Sequence, residues 1–497
     1  MGIVIRHSAR NLILTYTGFL IGFVSTLWLY PLAMTKEQIG LVRLLINVSW
    51  LLSAMVSLGA ISIPNRFFPY FSGSVKQRKE FTSFVLVLGL IGYLIFLILA
   101  SILRETIVNI YRLKAPLLAD YLPFFLILTF VVLAYSIIDA LAVVQHESNA
   151  ATFAKELLIR TLLALALVAL AMKVMSFKMF VICTVVAYVS QFLFLFVYLI
   201  RKRKFALTFN VSFIRNEKFG EMLTYGGFVV LGSATGFLMS SLDGLMLSAY
   251  EGLGSTGIYT VAYFIATIVD GPRRSLSQAI IPHISKANKE NDFTLLKSLY
   301  QKSSLNQLIT GGGLFLLIWL NIDSIFRIIP HGEIYASGKW VVFYIGLAKL
   351  FDMATGANAE IVTTSRYYKL DLFFFVGMGL LGILWNILLI PRYGIMGAAM
   401  ATAISIFLVN ILRTVVVLLY FKMLPFTFST LKVVAVGLIS IVTCNLVPVI
   451  SSPFFDIALK SFVFVGVFGT LLISSQASED INGLLKKLLG KYISLNG

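Results

Sequence analysis

The stretch "GIYTVAYFIATIVDGPRRSLSQAIIP", residues 257–282, is an apolar run interrupted by charges. Its length is sufficient for an α-helix to cross the hydrocarbon core of a bilayer, which takes about 20 residues. Asp270, Arg273 and Arg274 in the interruption are not expected to face lipid, because a charge near the bilayer centre costs on the order of 2.5–3.5 kcal/mol. The stretch therefore predicts a membrane helix with one face turned to a bundle interior or a water-filled cavity.

A second copy of this pattern lies near the N-terminus. Residues 40–64 open with GLV and close with IP, as residues 257–282 open with GIY and close with IP, and 217 residues separate Gly40 from Gly257. The repeat predicts a duplicated bundle of six plus six helices, and transporters commonly place their substrate path between such halves. A weaker third copy, YGIMGAAMAT at residues 393–402, opens a later span.

The composition excludes a soluble globular domain. Hydrophobic residues make up 59% and charged residues 12% of the 497 residues, and the mean hydropathy is +0.92. Globular chains are roughly 45–50% apolar and about 25% charged. Because the apolar runs are continuous rather than alternating, the sequence predicts an all-α polytopic membrane protein. Cys183 and Cys444 lie in apolar runs, and they predict no disulfide or zinc site.

Apolar runs mark fourteen predicted membrane spans. The charged start at Arg6 and Arg10 resembles a signal peptide, but the apolar run continues to Met34 without a cleavage motif, so we expect a retained first span. The predicted spans are 11–34, 38–63, 82–103, 119–143, 156–175, 178–200, 222–250, 254–282, 303–325, 339–364, 368–390, 394–421, 429–448 and 457–475.

The repeat and the spans together predict the domain organisation. An N-terminal lobe covers residues 1–205, a C-terminal lobe covers 206–425, two appended spans cover 426–476, and a basic tail covers 477–497. In the tail, DINGLLKKLLGKY at residues 480–492 places leucines on one face with lysines around them, which favours a basic interfacial helix over a solvated tail.

Lysine and arginine are distributed unevenly between the predicted loops. Placing the N-terminus inside puts 27 of the 40 Lys and Arg residues on the cytoplasmic side. The positive-inside rule then predicts that both termini are cytoplasmic. The net charge of +18 is mainly this topology signal; it predicts attraction to anionic membrane lipid and requires no nucleic-acid partner.

We expect reporter fusions to show this orientation. A reporter after Gly497 should be cytoplasmic, and one within residues 328–338 should lie on the opposite side, because an odd number of predicted spans separates the two positions. Alkaline phosphatase and green fluorescent protein activities would measure the sidedness. Reporters on the same side would contradict the fourteen-span topology.

Polar residues of the 254–282 span recur every three or four positions, which places them on one helical face. Gly271 and Pro272 beside them loosen the backbone hydrogen bonds, and this is tolerated where protein or water satisfies the freed groups. Arg274 continues the face and is expected to matter more for an anionic headgroup than Arg273, which points about 100° away. The alternative for both arginines is an early helix end, with their side chains in the cytoplasmic lipid headgroups. The face consists of Thr260, Tyr263, Thr267, Asp270, Arg274 and Gln278.

The equivalent second span has a similar face, so two helices are predicted to border one central space. Arg43 lies near the outer end of this span, where it either lines the cavity or extends to the headgroups. The polar face consists of Arg43, Asn47, Trp50, Ser53 and Ser57.

Further charged residues lie deep in predicted spans, and each has two readings. Lys349 and Asp352, three residues apart, either neutralise each other or contribute to the cavity. Asp243 either holds neighbouring helices together or couples transport to an ion, and Arg413 either lines the cavity or reaches the inner headgroups. The predicted cationic cavity comprises Arg43, Asn47, Arg273, Arg274, Lys349 and Arg413, and the acids with an ion-coupling or structural role are Asp139, Asp243, Asp270, Asp352 and Glu360.

A cationic, water-accessible centre in a membrane predicts a transporter of an anion. Guanidinium groups bind phosphate through two parallel hydrogen bonds, so a phosphorylated substrate fits better than an organic cation. The sequence predicts no catalytic residue, metal site or cofactor, and its four histidines are scattered at the ends of spans.

Three segments carry a family resemblance: SLDGLMLSAYEGLGSTGIYTVAYFIA at 241–266 with IIPHISK at 280–286, PRYGIMGAAMATAIS at 391–405, and LAMTKEQIGLVRLL at 32–45. They resemble the polysaccharide-biosynthesis branch of the multidrug/oligosaccharidyl-lipid/polysaccharide exporter superfamily, over nearly the whole chain. One departure is Gly244, which follows Asp243 where the family often has Arg or Lys.

The resemblance implies a Wzx-type flippase, with two six-helix lobes in an inverted V like the multidrug exporters and two further C-terminal helices. Its substrate would be undecaprenyl-pyrophosphate-linked oligosaccharide, a repeat unit of O-antigen (as in lipopolysaccharide), capsule or exopolysaccharide, moved from the inner to the outer leaflet of the bacterial cytoplasmic membrane by alternating access. The family default is a monomer, associated or not with polymerase and export machinery. The alternatives are a small-molecule or drug antiporter of the same fold and a membrane-embedded polysaccharide polymerase or acyltransferase.

Overall fold

A computed structural model of the protein describes residues 14–111, 113–208 and 218–478. The regular structure within these ranges is helical and includes no strand, which confirms the predicted all-α class. Ten helices of the described ranges are long and apolar enough to cross a membrane by themselves. The predicted basic helix at 480–492 lies outside the described residues.

The packing of the chain divides it near Thr260 into two compact units. This division does not test the predicted lobes at 1–205 and 206–425, which rest on the internal repeat. The first unit contains helices α1 (Leu14–Ala33), α2 (Lys36–Val56), α3 (Ile63–Phe71), α4 (Val75–Ile102), α5 (Arg104–Tyr111), α6 (Pro116–Val144), α7 (148–171), α8 (Phe177–Arg201), α9 (Phe219–Tyr250) and the start of α10 (Leu253–Thr267).

Helix α6 lies at the centre of the first unit, and α4 lies at its surface. Of the most apolar window of α6, 67% is buried, against 28% for α4. Leu128 and Leu141 of α6 are fully buried, whereas Leu94, Ile95 and Ile98 of α4 are exposed. Large exposed aliphatic side chains along a continuous apolar helix are expected where lipid covers the surface, so α4 forms part of the lipid-facing side.

The glycines that open the two copies of the repeat meet where α2 and α10 cross. A methyl group on Gly40 would lie 2.1 Å from the carbonyl oxygen of Leu253, and one on Gly257 would lie 1.9 Å from the carbonyl oxygen of Lys36. Lys36 and Leu253 are separated by the same 217 residues as the glycines, so the contact is reciprocal, as at a two-fold interface. Small residues let helix backbones approach closely in membranes, and this crossing requires glycine at both positions.

A cluster around Glu147 ties the loop after α6 to the end of α8 in the first unit. Lys204 Nζ lies 2.6 Å from one carboxylate oxygen of Glu147, and the Tyr198 hydroxyl donates to the other at 2.7 Å. Burial by itself would raise the pKa of Glu147, but the hydrogen bonds from Lys204 and Tyr198 and the charges of Lys204 and Lys202 outweigh it and lower that pKa. The ionised carboxylate therefore stabilises the fold.

We expect Glu147→Gln to lower the thermal stability of the protein by an amount that depends on pH. A charge-assisted hydrogen bond contributes about 1.5–3 kcal/mol. A group with a lowered folded-state pKa stabilises above its unfolded pKa, about 4.3 for glutamate, and the effect is lost as pH falls through the folded value. The Tm difference between wild type and variant should thus be full above about pH 5 and shrink below pH 4. A difference that is constant with pH would contradict this account.

The second unit holds the rest of the described chain. Its helices are the end of α10, α11 (Gly271–Glu290), α12 (Phe293–Leu320), α13 (Ile322–Ile328), α14 (Gly332–Tyr335), α15 (Lys339–Ala354), α16 (Asn358–Thr363), α17 (Tyr368–Phe421), α18 (Phe428–Asn445) and α19 (Pro453–Ser474).

Helix α17 is a hairpin of two membrane-spanning arms. Gly394 has φ 54° and ψ −130°, a conformation that favours glycine and breaks the helix. A methyl group on Gly397 would lie 2.2 Å from the carbonyl oxygen of Leu389, although a continuous helix would place residues eight apart about 12 Å from each other. Arg413 pairs with Asp371 at 2.7 Å across the hairpin. The arms are therefore antiparallel, as predicted for the eleventh and twelfth spans.

The last described helix is fastened to α13 through one buried acid. Asp456 is fully buried and accepts hydrogen bonds from the Ser324 hydroxyl at 2.6 Å, the Ile450 amide at 3.0 Å and Lys460 at 2.9 Å. An acid in the first turn of a helix also complements the helix dipole. The second appended span thus packs on the second unit.

Each of the fourteen predicted spans overlaps a described helical segment, the first of them from residue 14 onwards. The tenth is not one continuous helix, because α15 ends at Ala354 and α16 begins at Asn358. Gly356, with φ 63°, lies between them. Such a break inside a membrane bundle requires partners for the released backbone groups, and it marks positions where polar residues gather.

Candidate functional site

The charged interruption of the eighth span coincides with a local change of helix geometry. α10 ends in a 3-10 turn at Ile268–Asp270, and α11 begins with Gly271 and with Pro272 in its first turn. Proline is tolerated there because the amides of a first turn have no intrahelical partner. Asp270 is 7% exposed at this junction. The break therefore places an acid inside the second unit, as the polar face predicted.

Two ion pairs connect this junction to α15. Arg273 Nη1 lies 2.6 Å from Asp352 Oδ2, and Lys349 Nζ lies 3.9 Å from Asp270 Oδ2. The side chains are 22%, 11%, 19% and 10% exposed in that order, so all four are largely inside the bundle. Mutual neutralisation of Lys349 and Asp352 was one of two readings, and their described ion pairs are with other residues. Each of these α15 residues instead reaches across to the residue of opposite charge at the α10–α11 junction.

Glu360 adds a third carboxylate to this cluster. It is 9% exposed, and its Oε2 has no hydrogen-bond partner among the described residues. Its charge acts on Arg273. Next to it, Asn358 donates to Asn410 Oδ1 at 3.1 Å and fixes α16 against α17. The described side chains of this cluster are therefore three acids and two bases, and Arg274 of the predicted cationic cavity lies outside the described side chains.

Arg274, which the sequence predicts to matter most for an anionic headgroup, follows Arg273 in α11. Its backbone lies in α11, but its side chain lies outside the part of the chain that the structure describes, as does that of Gln278. Arg273, which the sequence placed beside the polar face, is the arginine with a defined ion pair.

The first unit has its own charged cluster around Arg43. Arg43 Nη2 donates to Thr26 Oγ1 of α1 at 2.6 Å, and the guanidinium lies 5.0 Å from the centre of the Tyr30 ring. Its Nε is buried without a hydrogen-bond partner, and no carboxylate pairs with it among the described residues. Arg43 therefore points into the unit rather than extending to the headgroups. Asn47, one turn further along α2, is exposed.

Two π-helical turns supply further groups of this cluster. Ser25–Leu29 in α1 contains Thr26, and Phe153–Leu158 in α7 contains Lys155 and Glu156. π-Helical turns occur frequently at functional sites because they re-aim side chains. Lys155 lies 5.9 Å from the Trp50 ring, and its charge acts on Asp139 in α6.

Arg160 was missed as a member of this cluster, because the sequence counted it among the cytoplasmic charges. It donates to the Gly18 carbonyl of α1 at 2.8 Å and pairs with Glu156 at 2.7 Å. The i, i+4 spacing of Glu156 and Arg160 was the signal that could have identified a pair. Arg160 thus connects α7 to α1 through a hydrogen bond.

Asp243 and Arg413 have structural partners. The Tyr259 hydroxyl donates to Asp243 at 2.5 Å and joins α9 to α10 in the first unit, which fits the helix-holding reading of this acid. Arg413 is 12% exposed and paired with Asp371, so it does not extend alone to the headgroups. Whether either residue also contacts a substrate stays a prediction.

Comparison with solved structures identifies the class of protein. The fold is similar to that of the lipid II flippase MurJ in an inward closed conformation, with a TM-score of 0.71 and 15% identity, over 93% of this chain and 97% of that one. It is also similar to an inward-facing multidrug resistance MATE family transporter of the MOP superfamily, with a TM-score of 0.63 and 14% identity, over 83% of this chain and 98% of that one. This is a polytopic membrane protein that shares the fold of these two structures, referred to below as the MOP fold.

The sequence profile of one family matches residues 5–288, and its description is polysaccharide biosynthesis protein. The chain belongs to this family. A curated relative, an uncharacterized membrane protein of Methanocaldococcus jannaschii, is 24% identical over an alignment of 294 positions, and the alignment covers 55% of this chain. The match spans 54% of that relative's length. The family resemblance read from the sequence is thereby confirmed.

Proposed function

We propose that the protein is a flippase that moves undecaprenyl-pyrophosphate-linked oligosaccharide from the inner to the outer leaflet of the bacterial cytoplasmic membrane by alternating access. The saccharide is a repeat unit of O-antigen, capsule or exopolysaccharide. Membership of the polysaccharide biosynthesis protein family supports the substrate class, and the MOP fold supports transport. The observation that carries the proposal is Arg43, an inward-pointing guanidinium without a carboxylate partner among the described residues.

Pyrophosphate fits this arrangement chemically. A guanidinium inside a bundle costs free energy unless an anion neutralises it, and phosphate oxygens accept its hydrogen bonds in pairs. Arg43 offers its charge to such a group directly, and the exposed Asn47 offers an amide one turn away. In the second unit, the pyrophosphate displaces Asp352 from Arg273 and Asp270 from Lys349. The longer 3.9 Å pair is the weaker of the two.

Two of the acids, Glu360 and Asp139, couple transport to the uptake of an ion in this proposal. Glu360, with a buried carboxylate oxygen lacking a partner among the described residues, is the acid that takes up a proton or cation in the second unit. Asp139 has this role in the first unit, while Asp243, Asp270 and Asp352 serve as structural or exchanging partners. Membrane potential contributes to the drive as well, because moving one charge through 100 mV is worth about 2.3 kcal/mol and a pyrophosphate carries about two charges.

The orientation and surroundings follow the sequence predictions. Both termini face the cytoplasm, anionic lipid surrounds the basic loops, and the protein works as a monomer, alone or with polymerase and export machinery. No nucleic acid, metal or cofactor takes part in this mechanism.

Depletion of the protein tests the function. Lipid-linked repeat units should then accumulate on the inner leaflet, where a membrane-impermeant saccharide-modifying enzyme cannot reach them in intact spheroplasts. Accumulation on the outer leaflet would instead identify a polymerase or acyltransferase. Unchanged repeat units together with increased drug sensitivity would identify a small-molecule antiporter. In proteoliposomes, flipping should accelerate with an imposed inside-negative potential.

A further inference from the structure

A cavity at one end of the second unit lies apart from the charged cluster. Its volume is about 370 Å³, and its walls are the end of α11, the start of α12, the segment between α16 and α17, and the end of α17. Binding pockets for small ligands measure about 300–1,000 Å³. Lys289 and Arg273 are 16 residues apart on α11, which corresponds to about 24 Å along a helix. The cavity is therefore a site distinct from the charged cluster around Arg273.

Two cations line this cavity without an acid to balance them. Neither Lys289 nor Arg366 forms an ion pair or hydrogen bond with another described residue, and no Asp or Glu is among the described residues of the wall. By contrast, the neighbouring Lys286 lies 4.0 Å from Glu290 and outside the wall. The wall thus carries two positive charges and no carboxylate, an arrangement that attracts an anion.

An aromatic wall holds one of the cations in place. The Arg366 guanidinium lies 4.9 Å from the centre of the Tyr367 ring, and that ring packs against Tyr420 at 4.2 Å and Phe421 at 5.8 Å. Stacking on an aromatic face restricts the guanidinium and leaves its N–H edge available. An ordered guanidinium edge therefore favours a bound phosphate, whose oxygens accept its hydrogen bonds, over loosely associated counterions.

Amide and hydroxyl groups complete the wall. Asn288 Nδ2 donates to Thr364 Oγ1 at 2.7 Å and to the Ile361 carbonyl at 3.2 Å, which ties α11 to the segment after α16. The Ser365 hydroxyl donates to the Val362 carbonyl at 2.9 Å. These bonds hold Lys289 and Arg366 on walls whose spacing is fixed by the fold.

The position of the cavity across the bilayer indicates where a bound phosphate would come from. Tyr420 lies 26 residues from the Gly394 turn, which corresponds to about 39 Å along the arm of the hairpin. The Gly394 end is predicted to be outside, and a bilayer with its headgroup regions is about 40–45 Å thick. The cavity therefore lies at the level of the headgroups of the predicted cytoplasmic leaflet.

We propose that this cavity binds a phosphate group, presented by the headgroup of an anionic phospholipid of the cytoplasmic leaflet. Lys289 and Arg366 neutralise the phosphate, and Tyr367 and Tyr420 contact the glycerol or headgroup carbons. A soluble phosphate compound shares the same chemistry, and the experiment separates the two sources.

The full-length protein in phosphatidylcholine nanodiscs, with and without phosphatidylglycerol, provides the test. Native mass spectrometry after release into detergent should find phosphatidylglycerol retained by the wild type. Lys289→Ala/Arg366→Ala should weaken retention by about tenfold or more, since charge-assisted hydrogen bonds of 1.5–3 kcal/mol are lost. Lys297→Ala/Lys302→Ala is the matched control, because it removes the same charge from exposed positions of α12 outside the wall.

The second arm adds inorganic phosphate to lipid-depleted protein and measures Tm. Phosphatidylglycerol retention that depends on the cavity residues supports the lipid source. Stabilisation by inorganic phosphate that depends on them, without lipid retention, supports the phosphate site but overturns the lipid as its source. Equal behaviour of the cavity variant and the control in both arms overturns the site itself. Circular dichroism and gel filtration of each variant show that it is folded.

Discussion

Arg273→Ala is expected to abolish transport and to reduce the amount of folded protein in the membrane. The substitution leaves Asp352 inside the bundle without the arginine that lies 2.6 Å from it. Removing one partner of a buried pair costs about 3–5 kcal/mol, because the remaining charge is uncompensated. The ion pair thus makes Arg273 a position on which stability depends, while the larger effect of Arg274 on flipping stays a prediction.

A double-mutant cycle separates stability from substrate binding. Asp352→Asn combined with Arg273→Ala removes both charges, so folding should recover while transport stays absent. Arg273→Lys keeps the charge but loses the two-pronged geometry, so it should fold normally and transport slowly. Protein level, Tm and flipping in proteoliposomes are the measurements. Full transport by the double variant would mean that Arg273 is only a structural partner of Asp352.

Gly257→Ala is expected to prevent stable folding of the first unit. Its methyl group would lie 1.9 Å from the Lys36 carbonyl oxygen, so the backbones of α2 and α10 would have to separate. Overpacking typically costs about 1–3 kcal/mol and more where only backbone can yield. Gly40→Ala should have a similar effect, because its methyl group would meet the Leu253 carbonyl at 2.1 Å.

Gly227→Ala is the matched control for these substitutions. Gly227 lies in α9 of the same unit, and a methyl group there would meet nothing within 4 Å. Alanine favours a helix over glycine by about 1 kcal/mol, so this variant should be neutral or slightly stabilised. The amount of monodisperse protein and its Tm after extraction would show the contrast. Equal stability of the Gly257 and Gly227 variants would refute the close crossing.

The membrane spans, the fold class and the family could be predicted from the sequence because they depend on local patterns of residues. Continuous apolar runs specify membrane helices whatever their neighbours are, since each helix satisfies its own backbone hydrogen bonds. The fourteen spans, the all-α class and the family resemblance followed from such patterns. The boundary between the eleventh and twelfth spans, predicted between residues 390 and 394, also agrees with the turn at Gly394. The repeated glycines at 40 and 257 were visible as a pattern, although their mutual contact was not.

Spacing along one helix did not identify the partners of the charged side chains. Lys349 and Asp352 are neighbours on α15, yet each reaches a residue of the α10–α11 junction instead. The inward direction of Arg43 depends on Thr26 and Tyr30 of α1, which no spacing along α2 reveals.

By itself, then, the sequence determined that this chain crosses the membrane repeatedly, where it does so, and to which family it belongs. The tertiary structure decided which charges are neutralised. In the second unit, ion pairs between helices neutralise Arg273 and Lys349. Arg43 and the two cations of the cavity, Lys289 and Arg366, have no carboxylate partner among the described residues. The physical reason is the range of the forces. Hydrophobicity and helix formation act within a segment, whereas a buried charge is stabilised by whichever opposite charge the packing of several helices brings within a few ångströms.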